Sequence, residues 1–181
     1  MNFQRLEENI FDMLKEQQIK LGYRSETVHL YYPLTSLNRF LESELDAEKM
    51  RHALDGFVNA EEAKLGPVDI TVQGGRFCFA IPPRGTDYIH EHMENHEFIR
   101  DFIGVIEKHG CRIEDILQQF YKYSDHVHVE KVSHGEFDYV VYFEDGKPDS
   151  YRYCIADEGC HMIYHRFTPE DYDDFGFSES I

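Results

Sequence analysis

Histidine is the residue type in this chain that most directly suggests chemistry, because eleven occur in 181 residues. Residues four apart share a helix face, and alternate residues share a strand face. The pairs with usable spacing are His92 and His96 on a predicted helix, then His126 and His128, and His161 and His165, on predicted strands. Each pair provides two ligands, whereas a zinc site needs at least three from the protein. We therefore expect no bound metal and no cofactor.

The four cysteines are scattered and lack the CxxC spacing of zinc or redox motifs; they are Cys78, Cys111, Cys154 and Cys160. Cys160 and His161 are neighbours, and neighbouring side chains on a strand point to opposite faces. We therefore expect no pair of nucleophile and base within that strand. Cys154 and Cys160 are predicted to lie nearly opposite each other around a turn, yet in a reducing cytoplasm we expect free thiols.

A stiff loop provides the candidate anion-binding site. In Ile81-Pro-Pro-Arg-Gly-Thr86 two prolines fix φ angles, glycine allows a bend, and Thr86 is predicted to cap the next helix. Helix N-termini and guanidinium groups both favour negative charge. The predicted site is Arg84, Gly85 and Thr86. The competing interpretation is that an acidic side chain of the protein already pairs with Arg84.

The charge of the chain limits its partners. Eighteen Lys and Arg against thirty-five Asp and Glu give a net charge of -17. This excess argues against nucleic acid and against an anionic membrane surface, and it favours a basic protein partner. The densest acids, and the predicted partner-binding residues, are Glu170, Asp171, Asp173 and Asp174. No apolar run reaches the ~20 residues of a membrane span, and the N-terminus predicts an amphipathic helix rather than a signal peptide, so we expect a cytoplasmic protein.

Four runs of alternating, aromatic-rich residues between Asp125 and Phe167 predict an antiparallel four-stranded meander. The turns are predicted at residues 133–135, 144–148 and 157–159, which supply glycine and other turn residues. The side chains predicted to share the core face of the second run are Phe137, Tyr139, Val141 and Phe143. In the fourth run the pattern leaves two alternatives: either Met162 and Tyr164 face inward, or Ile163 and Phe167 do.

Helices dominate the rest of the chain. An amphipathic helix is predicted from about Asn2 to Gly22, followed by an edge strand or extended linker over residues 27–33. Two helices follow, one capped by Thr35 or Ser36 and one by Asp46, and Gln73-Gly74-Gly75 predicts a hairpin.

The longest helix is predicted from Thr86 to Gly110, and its buried stripe includes His96. A second helix is predicted over residues 113–121. After the meander, Thr168-Pro169-Glu170-Asp171 has the composition of a helix start.

Two segments, Tyr142-Phe-Glu-Asp-Gly-Lys-Pro-Asp-Ser-Tyr-Arg-Tyr-Cys154 and Tyr164-His-Arg-Phe-Thr-Pro-Glu-Asp-Tyr-Asp-Asp-Phe175, resemble the C-terminal half of a bacterial family known as a domain of unknown function. The resemblance implies no activity and no site. Residues 35–81 resemble a winged-helix module in shape. They lack the basic recognition helix that nucleic-acid binding needs, since Glu48, Asp55, Glu61 and Glu62 occupy the second helix.

These patterns predict a single α+β domain over residues 1–181, with possible sub-lobes at 1–85 and 86–181. The N-terminal half is helical with a β-hairpin, and the C-terminal meander packs on helices. We expect a non-catalytic module that binds a basic protein. The alternative is a metal-dependent hydrolase with a histidine-based site, and the sequence leaves the oligomeric state open.

Overall fold

Helices and antiparallel strands build an α+β fold in the computed structural model, which describes residues 2–93, 98–132 and 135–174. This fold class is the one predicted. The chain forms two units, Met1–Glu94 and Asn95–Ile181. The prediction of one domain over residues 1–181 stays a prediction. No helix in the described ranges is long and apolar enough to cross a membrane.

The first unit packs four helices on one face of a three-stranded sheet. The strands are β1 (Val28–Pro33), β2 (Asp69–Gln73) and β3 (Arg76–Ile81), and the helices are α1 (Gln4–Leu21), α2 (Leu34–Phe40), α3 (Ala47–Leu65) and α4 (Pro83–His92). The strand order is β1-β3-β2, with both pairs antiparallel. Residues 28–33 therefore form an edge strand, and the linker alternative is wrong.

Alternation and helical periodicity explain the core of this unit. Phe77 and Phe79 point inward from β3, and Leu6, Ile10 and Leu14 repeat every four residues on α1, all at most 1% exposed. The β2–β3 turn is closed by Gly74 and Gly75 with φ of 57° and 80°, as two-residue hairpins with positive φ require.

The helix starts were predicted with mixed success. Asp46 caps α3 as predicted, because its side chain accepts a hydrogen bond of 2.9 Å from the Lys49 N–H. The predicted caps Thr35 or Ser36 and Thr86 are wrong. Helices α2 and α4 begin earlier, directly after prolines Pro33 and Pro82, so these hydroxyl residues lie inside the first turns. A proline at the start costs no helical hydrogen bond, and so it moved both boundaries toward the N-terminus.

The single long helix predicted over residues 86–110 is also wrong. Helix α4 ends at His92, and Met93 has an extended backbone with ψ of 125°. A separate helix, α5, covers Phe98–Ile106. His96 lies outside the described residues. Helix α4 packs against α1 and α3 and belongs to the first unit. The predicted boundary between the sub-lobes, after residue 85, assigned most of this helix to the second half.

The second unit contains the predicted meander. Strands β4 (Val127–Lys131), β5 (Tyr139–Phe143), β6 (Arg152–Asp157) and β7 (Met162–Phe167) pair in that order, all antiparallel. Helices α5, α6 (Ile113–Tyr121) and α7 (Pro169–Asp174) complete the unit. Residues 133 and 134 of the first predicted turn lie outside the described residues.

Aromatic rings form the core between this sheet and helices α5 and α6. Phe98, Phe102, Phe120, Phe143 and Tyr153 pack with ring centroids 4.7 to 5.9 Å apart, most of them edge to face. Edge-to-face contacts add stability beyond the burial of apolar area. The α5 and α6 side of the sheet is therefore the main core face.

The predicted core face of β5 is correct for Val141 and Phe143, which are 0% and 3% exposed. Tyr139 is half-buried. The prediction is wrong for Phe137, which packs on the opposite face with Val140. Phe137 precedes β5, so the alternation of side chains along that strand does not determine where it points. In β7 the pair that faces the core is Met162 and Tyr164.

Candidate functional site

The loop at the start of α4 joins helices to one another. Arg84 donates hydrogen bonds from Nε and Nη2 to the Ala63 carbonyl at the end of α3, at 3.2 and 2.8 Å. Among the described residues, the hydrogen-bond partner of Arg84 is thus a backbone oxygen and not an acidic side chain. Cations favour helix C-termini, where carbonyl groups lack partners. The anion site at Arg84, Gly85 and Thr86 stays a prediction.

The other two residues of this loop have structural contacts of their own. Gly85 is buried, and a Cβ there would stand 2.5 Å from Ile81 Cγ2 and 3.1 Å from the Leu65 carbonyl oxygen. Glycine therefore allows α4 to approach β3 closely. The Thr86 hydroxyl donates to the Pro83 carbonyl at 2.8 Å, and the Thr86 carbonyl accepts from Gln18 Nε2 at 2.8 Å.

The histidine pairs have local partners. His92 Nδ1 donates to the Tyr88 carbonyl at 2.7 Å, and its ring stacks on Tyr88 at 4.1 Å. His165 packs edge-on against Phe137, and His128 stacks on Tyr142. The described ranges contain no group of three His, Cys, Asp or Glu side chains placed to hold a metal ion. The hydrolase alternative stays a prediction that metal analysis of untagged protein would test.

The turn between β6 and β7 holds a contact that was not expected from the sequence. Cys160 Sγ lies 3.3 Å from His161 Nδ1, and His161 Nε2 lies 2.9 Å from Glu158 Oε2. Strand alternation does not separate these side chains, because β7 begins at Met162 and both residues belong to the turn. Cys154 pairs with His165 across the strands, so the predicted placement opposite Cys160 is also wrong. All four cysteines are free.

The acidic helix α7 begins as predicted. Thr168 Oγ1 accepts a 3.1 Å hydrogen bond from the Asp171 N–H, which caps the helix. Tyr172 is 3% exposed and anchors the helix on the sheet, whereas Glu170, Asp173 and Asp174 are exposed. The anchor holds the helix that carries these three residues on the sheet of the second unit.

An arginine between two tyrosine rings links α7 to the sheet. The Arg152 guanidinium lies 4.6 Å from the Tyr142 ring centroid and 4.9 Å from that of Tyr172. Its Nε is enclosed and has no acceptor among the described residues. Burial, followed by interaction with Cys154 and Glu130, raises the pKa of Tyr172. Arg152 thus adds cation–π attraction to the anchoring of the acidic helix.

Strand β4 is an edge of the second sheet, because within the described part of the chain it pairs with β5 on one side only. Hydrogen bonds from Glu144 N to His126 O and from Val132 N to Asp138 O fix which backbone groups point toward β5. In an antiparallel ladder the inward and outward residues alternate. The N–H and C=O groups of Val127, Val129 and Lys131 therefore point to the outer edge, and the Val129 side chain is 36% exposed. An extended peptide has a template for pairing at this edge.

The sequence comparison identifies the family. Residues 3–176 match the family described as a domain of unknown function, E. rectale gene description (DUF3877). The chain belongs to this family. The match covers nearly the whole chain, and not only the C-terminal half in which the two resembling segments lie. Comparisons with curated proteins and with solved structures gave no match.

Proposed function

We propose that this protein is a non-catalytic module that binds a basic protein, and that the partner contributes an extended segment that pairs with β4. The observation that carries the proposal is the outward-pointing backbone of Val127, Val129 and Lys131 at an edge strand. Strand addition derives affinity from main-chain hydrogen bonds and specificity from side chains that alternate along the segment.

The charge near this edge supports a basic segment. Glu130 lies on β4 itself, and helix α7, which carries the exposed acids, packs through Tyr172 on the sheet face that carries Tyr142. The chain as a whole carries a net charge of -17. Complementary charge accelerates association and selects against acidic partners, while backbone pairing and apolar contact hold the complex.

Selection from a peptide library tests the proposal without requiring that the partner be identified. Short random peptides displayed on phage are selected on the immobilised full chain, and the enriched peptides are synthesised. We expect them to be extended and rich in Lys and Arg. Their association rate should fall roughly tenfold between about 50 and 500 mM salt, because the Debye length shrinks across that range.

Neutral variants of α7 test whether the acids of this helix, rather than the net charge of the whole chain, accelerate peptide association. Glu170→Gln, Asp173→Asn and Asp174→Asn together should slow peptide association, and Asp171 is kept because its carboxylate contacts the capping Thr168. The control neutralises two exposed acids of the same unit, Glu107 after α5 and Glu114 on α6, and should slow association less than the α7 changes do. Enriched peptides without basic residues, or with rates insensitive to salt and to the α7 changes, would contradict the electrostatic part of the proposal.

A further inference from the structure

The turn between β6 and β7 is closed by hydrogen bonds that backbone N–H groups donate. The Glu158 N–H donates to the His161 carbonyl at 3.1 Å, and the Gly159 N–H donates to Asp157 Oδ1 at 2.8 Å. A third bond, from the Gly110 N–H to the Cys160 carbonyl at 3.1 Å, ties the turn to the α5–α6 loop. The side chains of Glu158, Cys160 and His161 therefore extend from a backbone of defined geometry.

The hydrogen bonds of His161 determine which nitrogen acts as a base. A carboxylate only accepts hydrogen bonds, so Nε2, at 2.9 Å from Glu158 Oε2, must carry a proton. In the neutral ring Nδ1 then has a lone pair, and it faces Cys160 Sγ at 3.3 Å. A thiol, a base and a carboxylate that orients the base are the parts of an activated nucleophile.

The other cysteines lack this environment. Cys78 and Cys154 are buried, and burial raises the pKa of the Cys154 thiol to about 12. Burial, followed by the charge of Asp115, raises the pKa of the partly buried Cys111 thiol. Cys160 is exposed. Thiol reactivity requires access as well as a base that can take the proton, and Cys160 is the accessible thiol beside an imidazole.

We propose that Cys160 is a nucleophilic thiol that hydroperoxides modify, with His161 as its base and Glu158 as the residue that orients this base. His161 Nδ1 takes the thiol proton, and the sulfur attacks one peroxide oxygen. The S–O bond forms as the O–O bond breaks, and the leaving hydroxide or alkoxide takes the proton from His161 to give water or an alcohol. The sulfur is oxidised to sulfenic acid and the hydroperoxide is reduced.

Some charges around the turn oppose a thiolate at Cys160 and others favour it. Asp157 and Glu158 on the turn itself oppose a thiolate, whereas the imidazolium formed at His161 favours it. The adjoining α5–α6 loop adds Lys108 and His109 next to Gly110. The side chains of Glu158 and His161 are about half exposed, at 51% and 52%, so solvent screens their interaction in part. The 3.3 Å contact between Sγ and Nδ1 is therefore the main source of activation.

Alkylation rates measured cysteine by cysteine test the proposal. The full chain is treated with iodoacetamide at neutral pH, quenched, digested and analysed by mass spectrometry. An ordinary thiol is only about 3% ionised at pH 7. Pairing with His161 should make Cys160 react at least about tenfold faster than Cys111, the internal reference. Under hydrogen peroxide, Cys160 should also be the first thiol lost.

Two histidine variants of the same unit give the matched comparison. His161→Gln should reduce the Cys160 rate about tenfold at neutral pH and move the rate–pH midpoint upward. His165→Gln removes another exposed imidazole, on β7, and should leave both unchanged. Glu158→Gln should give an intermediate midpoint. Equal rates for Cys160 and Cys111 in the wild type, or a His161→Gln profile identical to that of the wild type, would overturn the proposal.

Discussion

Replacing Phe120 by alanine should destabilise the second unit by about 3 to 5 kcal/mol, the usual cost of truncating a fully buried aromatic residue. Phe120 is 0% exposed, and its ring contacts those of Phe98, Phe102, Phe143 and Tyr153. The substitution removes one ring from the centre of the cluster and leaves a cavity between α6 and the sheet. Neighbouring rings fill such a cavity only partly, because side chains in close-packed cores have few alternative rotamers.

The next residue of the same helix is the control. Tyr121 is 49% exposed, and Tyr121→Ala should cost less than about 1 kcal/mol. Urea denaturation followed by tyrosine fluorescence and circular dichroism measures both, since the chain contains no tryptophan. Amide hydrogen exchange then shows which unit has lost protection. Similar losses for the two variants would mean that the aromatic cluster is not the core of this unit.

Replacing Asp149 by alanine should cost a similar amount, about 3 to 5 kcal/mol, because it removes one member of a buried ion pair. Asp149 Oδ2 lies 3.4 Å from Arg166 Nη1, and the two side chains are 10% and 1% exposed. The same carboxylate accepts hydrogen bonds of 2.8 Å from the Tyr151 N–H and from the Tyr153 hydroxyl. The variant would leave the enclosed guanidinium without this carboxylate.

A double substitution separates the ion pair from the packing around it. Asp149→Leu combined with Arg166→Met removes both charges, and it should recover much of the stability lost by either single change. The exposed pair of Arg51 and Asp55 is the comparison, and Asp55→Ala should change stability by less than about 0.5 kcal/mol. Additive losses in the double variant, measured by urea denaturation, would show that charge pairing contributes little here.

Regular alternation and local turn chemistry made much of the fold predictable. The meander follows from period-two aromatic runs, the hairpin from Gly74 and Gly75, and the start of α3 from the Asp46 cap. Errors arose where local rules competed. At the start of α4 the prolines set the helix boundary before Thr86. The alternation of β5 assigned Phe137 to the face that packs on α5 and α6, whereas its side chain packs on the opposite face of the sheet.

The contact between Cys160 and His161 was less predictable, because it depends on the residue at which β7 begins. Moving the start of β7 past His161 changes Cys160 and His161 from strand neighbours on opposite faces into turn residues in contact. The open edge of β4 depends on strand order in three dimensions, which the pattern within one strand does not contain. The acidic residues of α7 were evident from composition, but the packing of their helix on the sheet follows from the burial of Tyr172.

The affinity of a selected basic peptide for Val129→Pro tests the strand-edge proposal most directly. Proline at this position removes an N–H that points to the outer edge and leaves the bonds between β4 and β5 in place. Val129→Thr keeps the N–H and serves as the control. We expect the proline variant to bind at least about tenfold more weakly, a loss of about 1.4 kcal/mol, and the threonine variant to bind nearly as the wild type does. Equal affinity for the two variants, with the fold intact by circular dichroism, would contradict strand addition at β4.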